Sequence, residues 1–144
     1  MIRQANKYDK TAIIEMMKAF RNESPIPQYQ VLDNPDYWNR LLDTILAGKG
    51  IIFIEENVGL IMGITVPCIW DDTKFTLHEL AWYVKPDKRH STTGYRLLKS
   101  YTEYGKKMKD EGRIIMFTIA KMISSPDIKY DKFGFSKLDE SWVQ

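Results

Sequence analysis

The fold is decided by the segment Leu80–Tyr101, which reads LAWYVKPDKRHSTTGYRLLKSY. Its first five residues are mostly apolar and typical of a strand, and Pro86 ends that strand because proline cannot donate to a strand ladder. A polar loop from Asp87 to Thr93 follows, and an apolar stripe with helical spacing predicts a helix from about Thr93 to Glu111. The segment therefore predicts a strand, a basic loop and a helix in direct succession.

The loop of this segment is a local concentration of positive charge. Five basic residues and His90 fall between Lys85 and Lys99, against the single acid Asp87. At the start of a helix the first backbone N–H groups have no partner, and the helix dipole favours negative charge. Small residues over Ser91–Gly94 would let a phosphate group approach the main chain. The segment predicts an anion site, although it lacks the Walker and the three-glycine dinucleotide patterns; a polar turn that only caps the helix is the alternative.

Outward from this segment, the spacing of apolar residues alternates between helical and strand-like periods. Helices are predicted over Lys7–Asn22, from Pro35 to Gly48, over Thr93–Glu111 and over Ser125–Phe133. Strands are predicted over Ile2–Ala5, Ile51–Glu55, Val58–Pro67, Lys74–Lys85, Ile114–Ala120 and Phe135–Val143. The order is β-α-α-β-β-β-α-β-α-β, an α/β (α+β) class with an antiparallel hairpin at its centre.

Length and composition limit the class of protein. The 144 residues suit one domain, 1–144, with a core that needs no disulfide or metal. Cys68 is the only cysteine, which favours a reducing cytoplasm. The N-terminus MIRQANKYDK is polar, unlike a secretory signal, and no apolar run is long enough to span a membrane. A net charge of +2 is small for a dedicated nucleic-acid binder.

Two motifs in this order of elements resemble a known family. Arg89–Gly94, RHSTTG, resembles the R/Q-x-x-G-x-G/A pyrophosphate loop of the GNAT (Gcn5-related) N-acetyltransferases, with a V-x-P strand end before it and a leucine pair, Leu97 and Leu98, after it. Tyr130–Phe135, YDKFGF, is similar to the family's Y-x-K-x-G-F segment. The order of elements is also the family's, so the resemblance covers nearly the whole chain. Glu79–Val84, ELAWYV, is similar to the small GNAT-like proteins of bacteriophages.

The resemblance implies a mixed, mostly antiparallel sheet of six to seven strands with four helices, and an acetyl-CoA-dependent N-acetyltransferase that acts by direct attack of an amine. It also implies the coenzyme A contacts. Backbone amides from Arg89 to Tyr95 would surround the pyrophosphate, and Ser124 or Ser125 would replace the family's asparagine beside the pantetheine arm. The backbone of Trp82, Tyr83 and Val84 would pair with that arm like an added strand. The implied pyrophosphate contacts are Arg89, His90, Ser91, Thr92, Thr93, Gly94 and Tyr95.

One residue of the loop departs from the family pattern. The family's first glycine is Thr92 here. If that position requires a positive φ, the β-branched side chain would be strained, and coenzyme affinity would fall. A loop that simply follows a different path is the other explanation.

Acetyl transfer to an amine needs a base and an acid for the departing thiolate. The resemblance places the acid at Tyr130, with packing as its alternative role. The base is Glu79 or His78, which are adjacent and so point to opposite faces of a strand; Glu79 is slightly preferred for the resemblance, although histidine titrates in the useful range unaided. Cys68 and His78 could be cross-strand neighbours, but a small buried hydrophobe is the favoured role for Cys68.

Two other functions compete with catalysis. A GNAT-like domain with weak or no activity could bind a partner protein, and nucleic-acid binding through the basic loop is a third, less favoured interpretation. The enzyme interpretation requires an amine-bearing acceptor, which the sequence does not identify, and leaves a homodimer open. Two histidines and one cysteine favour no metal site.

Overall fold

Five strands form one sheet in the order in which they occur along the chain, in a computed structural model that describes all 144 residues. Neighbouring strands are antiparallel from the first to the fourth, and the fifth runs parallel to the fourth. The strands are β1 (Ile2–Gln4), β2 (Gly50–Glu55), β3 (Gly59–Cys68), β4 (Asp71–Val84) and β5 (Met116–Thr118). The antiparallel hairpin that the sequence predicts is therefore the centre of the sheet.

Three α-helices cover the two faces of this sheet: α1 (Lys10–Asn22), α2 (Pro35–Thr44) and α3 (Thr93–Asp110). Helices α1 and α2 pack with β2, β3 and β4 in one apolar core, where Ile13, Leu42 and Leu60 are fully buried. Helix α3 packs on the opposite face, where Leu97 and Tyr101 are fully buried. The result is a mixed α+β fold in three layers. None of its helices combines the length and the apolar character needed to cross a bilayer.

Helix ends follow the local signals of the sequence. Pro35 occupies the first turn of α2, and the Asn34 side chain accepts a hydrogen bond from the Tyr37 N–H at 3.1 Å. The helix ends at Thr44, and a wider helical turn, Ile45–Lys49, carries the chain to β2. Gly48 in that turn has φ 109°, a conformation that glycine adopts without strain.

The C-terminal part differs from the sequence prediction. Within the predicted helix Ser125–Phe133 only a 3₁₀ turn forms, Tyr130–Phe133, because Pro126 interrupts the segment. The predicted strand Phe135–Val143 is not formed. Its charged residues face solvent, and only Phe135 reaches the core, with its ring 5.5 Å from that of Phe117. The prediction of six to seven strands and four helices is thus wrong by one strand or more and by one helix.

Candidate functional site

Strands β4 and β5 pair over only three residues and then part. The last pair is His78 with Thr118, whereas β4 continues to Val84. From Glu79 onward, the edge of β4 on that side has no strand partner. Its backbone N–H and C=O groups can therefore hydrogen-bond to a ligand that enters as an extra strand. We call the gap between the two strands the cleft.

A β-bulge lies at the start of the cleft. Met62 on β3 pairs with Ala81, whereas the next residue, Gly63, pairs with Glu79, so Leu80 is left over. The extra residue shifts the alternation of side chains between the two faces. Glu79 consequently lies on the α3 face with Leu77, whereas Ala81 and Tyr83 beyond the bulge join the α1 and α2 core. Sequence reasoning missed this bulge, because a period-2 pattern does not mark an added residue.

Tyr101 of α3 helps to end the pairing of the two strands. Its hydroxyl donates a hydrogen bond of 2.8 Å to the Thr118 carbonyl, at the last paired residue of β5. The ring is fully buried over Gly63, where an added Cβ would lie 3.0 Å from Tyr101 Cε2. The sequence assigns Tyr101 to the apolar stripe of its helix and does not indicate a role beside the cleft. An aromatic side chain with a polar end, two turns into a helix that follows the basic loop, was the available signal.

Glu79, Tyr101 and Tyr130 form a cluster of titratable groups beside the cleft. Burial raises the pKa of the Glu79 carboxyl to about 7, although the backbone N–H of Ala120 partly offsets this effect. Burial also raises the pKa of the Tyr130 hydroxyl, and the nearby Glu79 charge raises it further. The pKa of Tyr101 is raised for the same two reasons. The structure therefore brings together two of the residues that the sequence predicts as catalytic, Glu79 and Tyr130.

His78 lies on the other face of β4 and is held by two hydroxyls. Its Nε2 is 2.9 Å from Thr76 Oγ1, and its Nδ1 is 2.8 Å from Thr118 Oγ1. Its cross-strand partner Ile64 packs against the α1 and α2 core. Both ring nitrogens are therefore already engaged, whereas no side chain hydrogen-bonds to the Glu79 carboxyl.

The basic loop ends in free backbone donors at the start of α3. The N–H groups of Gly94 and Tyr95 donate no hydrogen bond within the chain, whereas that of Thr93 donates to Ser91 Oγ at 3.3 Å. Thr92 has φ −84°, so the strain considered from the sequence is absent. Its hydroxyl accepts from Arg96 Nε at 3.1 Å. The loop thus offers an anion two unpaired N–H groups at a helix N-terminus.

Other residues predicted around the coenzyme are exposed or make contacts within the chain. The Arg89 side chain donates to the Val84 carbonyl at 2.8 Å, and its guanidinium pairs with Glu23 of the segment after α1 at 2.6 Å. His90 is exposed in the loop. Ser124 and Ser125 are exposed in a turn after β5, where the Ser125 N–H donates to the Met122 carbonyl at 2.9 Å. Neither serine side chain makes a contact that ties it to the cluster.

The cysteine is not part of the site. Cys68 is the last residue of β3 and pairs with Asp71, whereas His78 pairs with Ile64. The two are therefore not cross-strand neighbours. Cys68 is only partly buried, which is less than expected for a small buried hydrophobe.

Comparison with known proteins relates this arrangement to solved structures. No protein-family model matches the sequence, and no curated protein matches it. A predicted acetyltransferase from Clostridium acetobutylicum, solved with acetyl-CoA, is similar over 100% of this chain and 94% of its own, with 18% identity and a TM-score of 0.75. Glucosamine-6-phosphate N-acetyltransferase from Arabidopsis thaliana is similar over 100% and 96%, with 14% identity and a TM-score of 0.70.

A third solved structure, described as a transcriptional regulator from Bacillus halodurans, is similar over 100% of this chain and 97% of its own, with 16% identity and a TM-score of 0.71. At these identities the similarity concerns the fold. The chain therefore has the fold of the GNAT acetyltransferases.

Proposed function

We propose that the chain is a single GNAT domain that transfers an acetyl group from acetyl-CoA to a primary amine. The observation that carries the proposal is the cleft, because it has a titratable cluster at its closed end and free backbone donors at the start of α3. The edge of β4 at Trp82, Tyr83 and Val84 has no strand partner on the side of the cleft and suits the amides of a pantetheine arm, with the Val84 carbonyl released from its bond with Arg89. The free N–H groups of Gly94 and Tyr95 suit the pyrophosphate of coenzyme A. The similarity to a protein solved with acetyl-CoA supports the same ligand.

In this proposal each residue of the cluster has one role. The bound thioester supplies an activated acetyl group. Glu79 accepts a proton from the amine as a C–N bond forms to the acetyl carbon, and its pKa of about 7 suits a base near neutral pH. Tyr130 gives its proton to the thiolate as the C–S bond breaks. Tyr101 does not react but holds the end of β5 at the Thr118 carbonyl. His78 remains the competing base.

The first experiment is binding of acetyl-CoA to the purified chain, followed by thermal unfolding. Saturating acetyl-CoA at about 100 times its dissociation constant stabilises a folded protein by about 2.7 kcal/mol, which raises the melting temperature by several degrees. Coenzyme A should also raise the melting temperature, whereas an adenine nucleoside without phosphate should leave it unchanged. Absence of any shift with either thioester or free coenzyme would refute the proposal.

The second experiment tests Tyr130. Tyr130→Phe should lower kcat by about 100-fold with little change in the affinity for acetyl-CoA, because only the proton donor is lost. Tyr104→Phe is the matched control, since Tyr104 is half-buried and its hydroxyl makes no hydrogen bond. The readout is thiol release with a panel of small amines and peptides. Equal rates in the two variants would remove Tyr130 from the chemistry and leave it a packing residue.

A protein-binding domain without activity is the alternative, and one observation favours it. Arg89, which the family pattern places at the pyrophosphate, is already paired with Glu23. If the loop cannot release this arginine, coenzyme binding is weakened. The alternative predicts a folded protein that shows no thiol release with any amine, even when Glu23→Gln frees Arg89.

We further propose that the protein acts in the cytoplasm and acetylates an amine-bearing acceptor. The resemblance to bacteriophage proteins and the homodimer stay predictions.

A further inference from the structure

Thr118 of β5 is held from two sides at the start of the cleft. Its carbonyl accepts the hydrogen bond of 2.8 Å from the Tyr101 hydroxyl of α3. Its own hydroxyl lies 2.8 Å from Nδ1 of His78 on β4. His78 and Thr118 are also the last residue pair of the ladder between β4 and β5. The side-chain contact therefore joins the two strands at the position where they part.

Thr76 fixes the orientation of the His78 ring. The Thr76 hydroxyl lies 2.9 Å from His78 Nε2, and Thr76 is only 3% exposed. Because Nε2 is held by this buried hydroxyl, Nδ1 is directed at Thr118. A hydroxyl can donate or accept, so the two contacts can form with either tautomer of the ring. We call the side chains of Thr76, His78 and Thr118 the clasp. The reaction proposed for Glu79 and Tyr130 does not use them.

The chain directly after the clasp has few other contacts that fix its position. Ile119 and Ala120 belong to no strand or helix and make no backbone–backbone hydrogen bond. Ile119 packs in part on the α3 core, and Ala120 is exposed. Two residues of extended chain span at most about 7 Å, so Ala120 stays close to Thr118. The position of the Ala120 backbone therefore depends on how firmly Thr118 is held.

The backbone N–H of Ala120 acts on Glu79. It stabilises the charged carboxylate and so offsets part of the rise in pKa that burial causes. Tyr101 of α3 and Tyr130 after β5 are the titratable groups that interact with this carboxyl. His78 precedes Glu79 in the sequence but lies on the opposite face of β4. It can influence the carboxyl through Thr118 and Ala120 of β5 and the chain after it.

We propose that His78 is a positioning residue, which through the clasp holds Thr118 and thereby keeps the Ala120 N–H at the Glu79 carboxyl. The inference rests on the proposed function with Glu79 as its base, and it gives His78 a role other than proton transfer. Without the clasp, Ala120 can move away from the carboxyl, which then ionises at a higher pH because burial alone acts on it.

Asparagine and glutamine at position 78 separate the two ring nitrogens. The amide group of His78→Asn lies near the position of Nδ1 and can keep the contact with Thr118. That of His78→Gln lies near the position of Nε2 and can keep only the contact with Thr76. Thr118→Val removes the hydroxyl and preserves the size of the side chain. Thr65→Val is the matched control, because Thr65 lies on the neighbouring strand β3 and its hydroxyl makes no listed contact with the clasp.

The first measurement is the ionisation of the Glu79 carboxyl in the full chain without ligand, by carbon-13 NMR with the signal assigned from Glu79→Gln. The wild-type midpoint should lie at about 7. Loss of one hydrogen bond to a carboxylate shifts its ionisation by about one pH unit. The midpoint should therefore rise by about that amount in His78→Gln and Thr118→Val, and stay near the wild-type value in His78→Asn and Thr65→Val.

The pH profile of kcat/KM separates positioning from general damage. His78→Gln and Thr118→Val should lower kcat/KM about tenfold near pH 6 and approach the wild-type value at about pH 9. The profile of His78→Asn should follow that of the wild type. General damage to the fold would instead lower the rate by a similar factor at every pH.

Two results would overturn this inference. One is an unchanged Glu79 midpoint in both His78→Gln and Thr118→Val. The other is an equal shift in His78→Asn and His78→Gln, because the contact with Thr118 would then not matter. A protein that binds no coenzyme A would refute the proposed function, and the NMR titration, made without ligand, would still decide whether the clasp positions the carboxyl.

Discussion

Glu79 and His78 are neighbours in the sequence but have different surroundings, and this difference can be tested. The Glu79 carboxyl lies on the α3 face with a pKa raised to about 7 by burial. His78 lies on the opposite face between two threonine hydroxyls. Only the first group is placed beside Tyr130, with which its charge interacts. The local environment therefore favours Glu79 over His78 as the base of the proposed reaction.

If Glu79 is the base, the wild-type rate should rise with pH and level above about pH 7, because the carboxyl accepts a proton only when ionised. Glu79→Gln should lower kcat/KM by about 100-fold and abolish this rise. The His78→Gln variant should keep the rise of kcat/KM with pH. The measurement is the pH profile of kcat/KM for all three proteins. A profile that survives Glu79→Gln but is lost in His78→Gln would identify histidine as the base.

Two glycines of α3 have opposite environments at the scale of the helix. An added Cβ at Gly105 would lie 2.5 Å from the Phe117 ring of β5, whereas one at Gly94 would meet Trp82 and Val84 at an ordinary 3.8 Å. Gly105→Ala should therefore destabilise the protein by about 1–3 kcal/mol, despite the higher helix propensity of alanine. Gly94→Ala should be neutral or stabilising by up to about 1 kcal/mol.

Urea unfolding of the two glycine variants measures this contrast. Gly94→Ala should in addition weaken coenzyme A binding, since the added methyl group stands beside the free N–H groups of the loop. A stabilised Gly105→Ala variant would mean that Phe117 of β5 can move away from α3 by more than the 2.5 Å contact allows.

The hydrogen bond between α3 and β5 gives a second prediction at this scale. Tyr101→Phe leaves the partly buried Thr118 carbonyl without its 2.8 Å donor, which should cost about 1–2 kcal/mol of unfolding free energy. Tyr104→Phe removes a hydroxyl from the same helix that makes no hydrogen bond and should cost less than about 0.5 kcal/mol. Chemical denaturation of both variants provides the comparison. Equal losses would show that the hydroxyl of Tyr101 does not hold the end of β5.

For the whole molecule, the shifted carboxyl groups predict how stability depends on pH. The hydrogen bond from Arg3 holds the pKa of Asp9 below its usual value, and that of Glu55 is lowered because hydrogen bonds from Thr93 and Arg96 outweigh burial. These two contributions are present above the unfolded pKa values and are lost in acid. The contribution of Glu79 has the opposite sign. It is present below pH 4.5 and is lost as the pH rises through about 7.

Stability should therefore be highest near pH 4.5 to 5, fall by about 3 kcal/mol towards pH 8, and fall again in acid. Glu79→Gln should remove the decline on the alkaline side and leave the acid side unchanged. Urea unfolding from pH 3 to 9 measures both proteins. A wild-type curve that is flat between pH 5 and 8 would contradict the raised pKa of Glu79.

Much of this architecture could be predicted from local signals. Pro35, Gly48 and Pro86 mark ends of elements because their backbone constraints act whatever surrounds them. The prediction of a strand over Phe135–Val143 was wrong, because a strand forms only where it can pair with a neighbouring strand. Strand β5 is only three residues long and provides little edge for such pairing. The bulge at Leu80 and the contact of Tyr101 with Thr118 are tertiary features, which no periodicity encodes.

Strands β2, β3 and β4 pair over long ladders, whereas β5 pairs over only three residues, and this difference affects local unfolding. Strands β2, β3 and β4 follow one another through short turns, so their ladders close small loops and form among neighbours in the chain. Strand β5 is the last strand in the sequence and is separated from β4 by the whole of α3. Only three residue pairs hold it in the sheet. Amide protons of β5 should accordingly exchange with solvent far sooner than those at the centre of the sheet. The side of the cleft formed by β5 is then a unit that unfolds by itself, so a ligand in the cleft would slow that exchange while the centre of the sheet stays protected throughout.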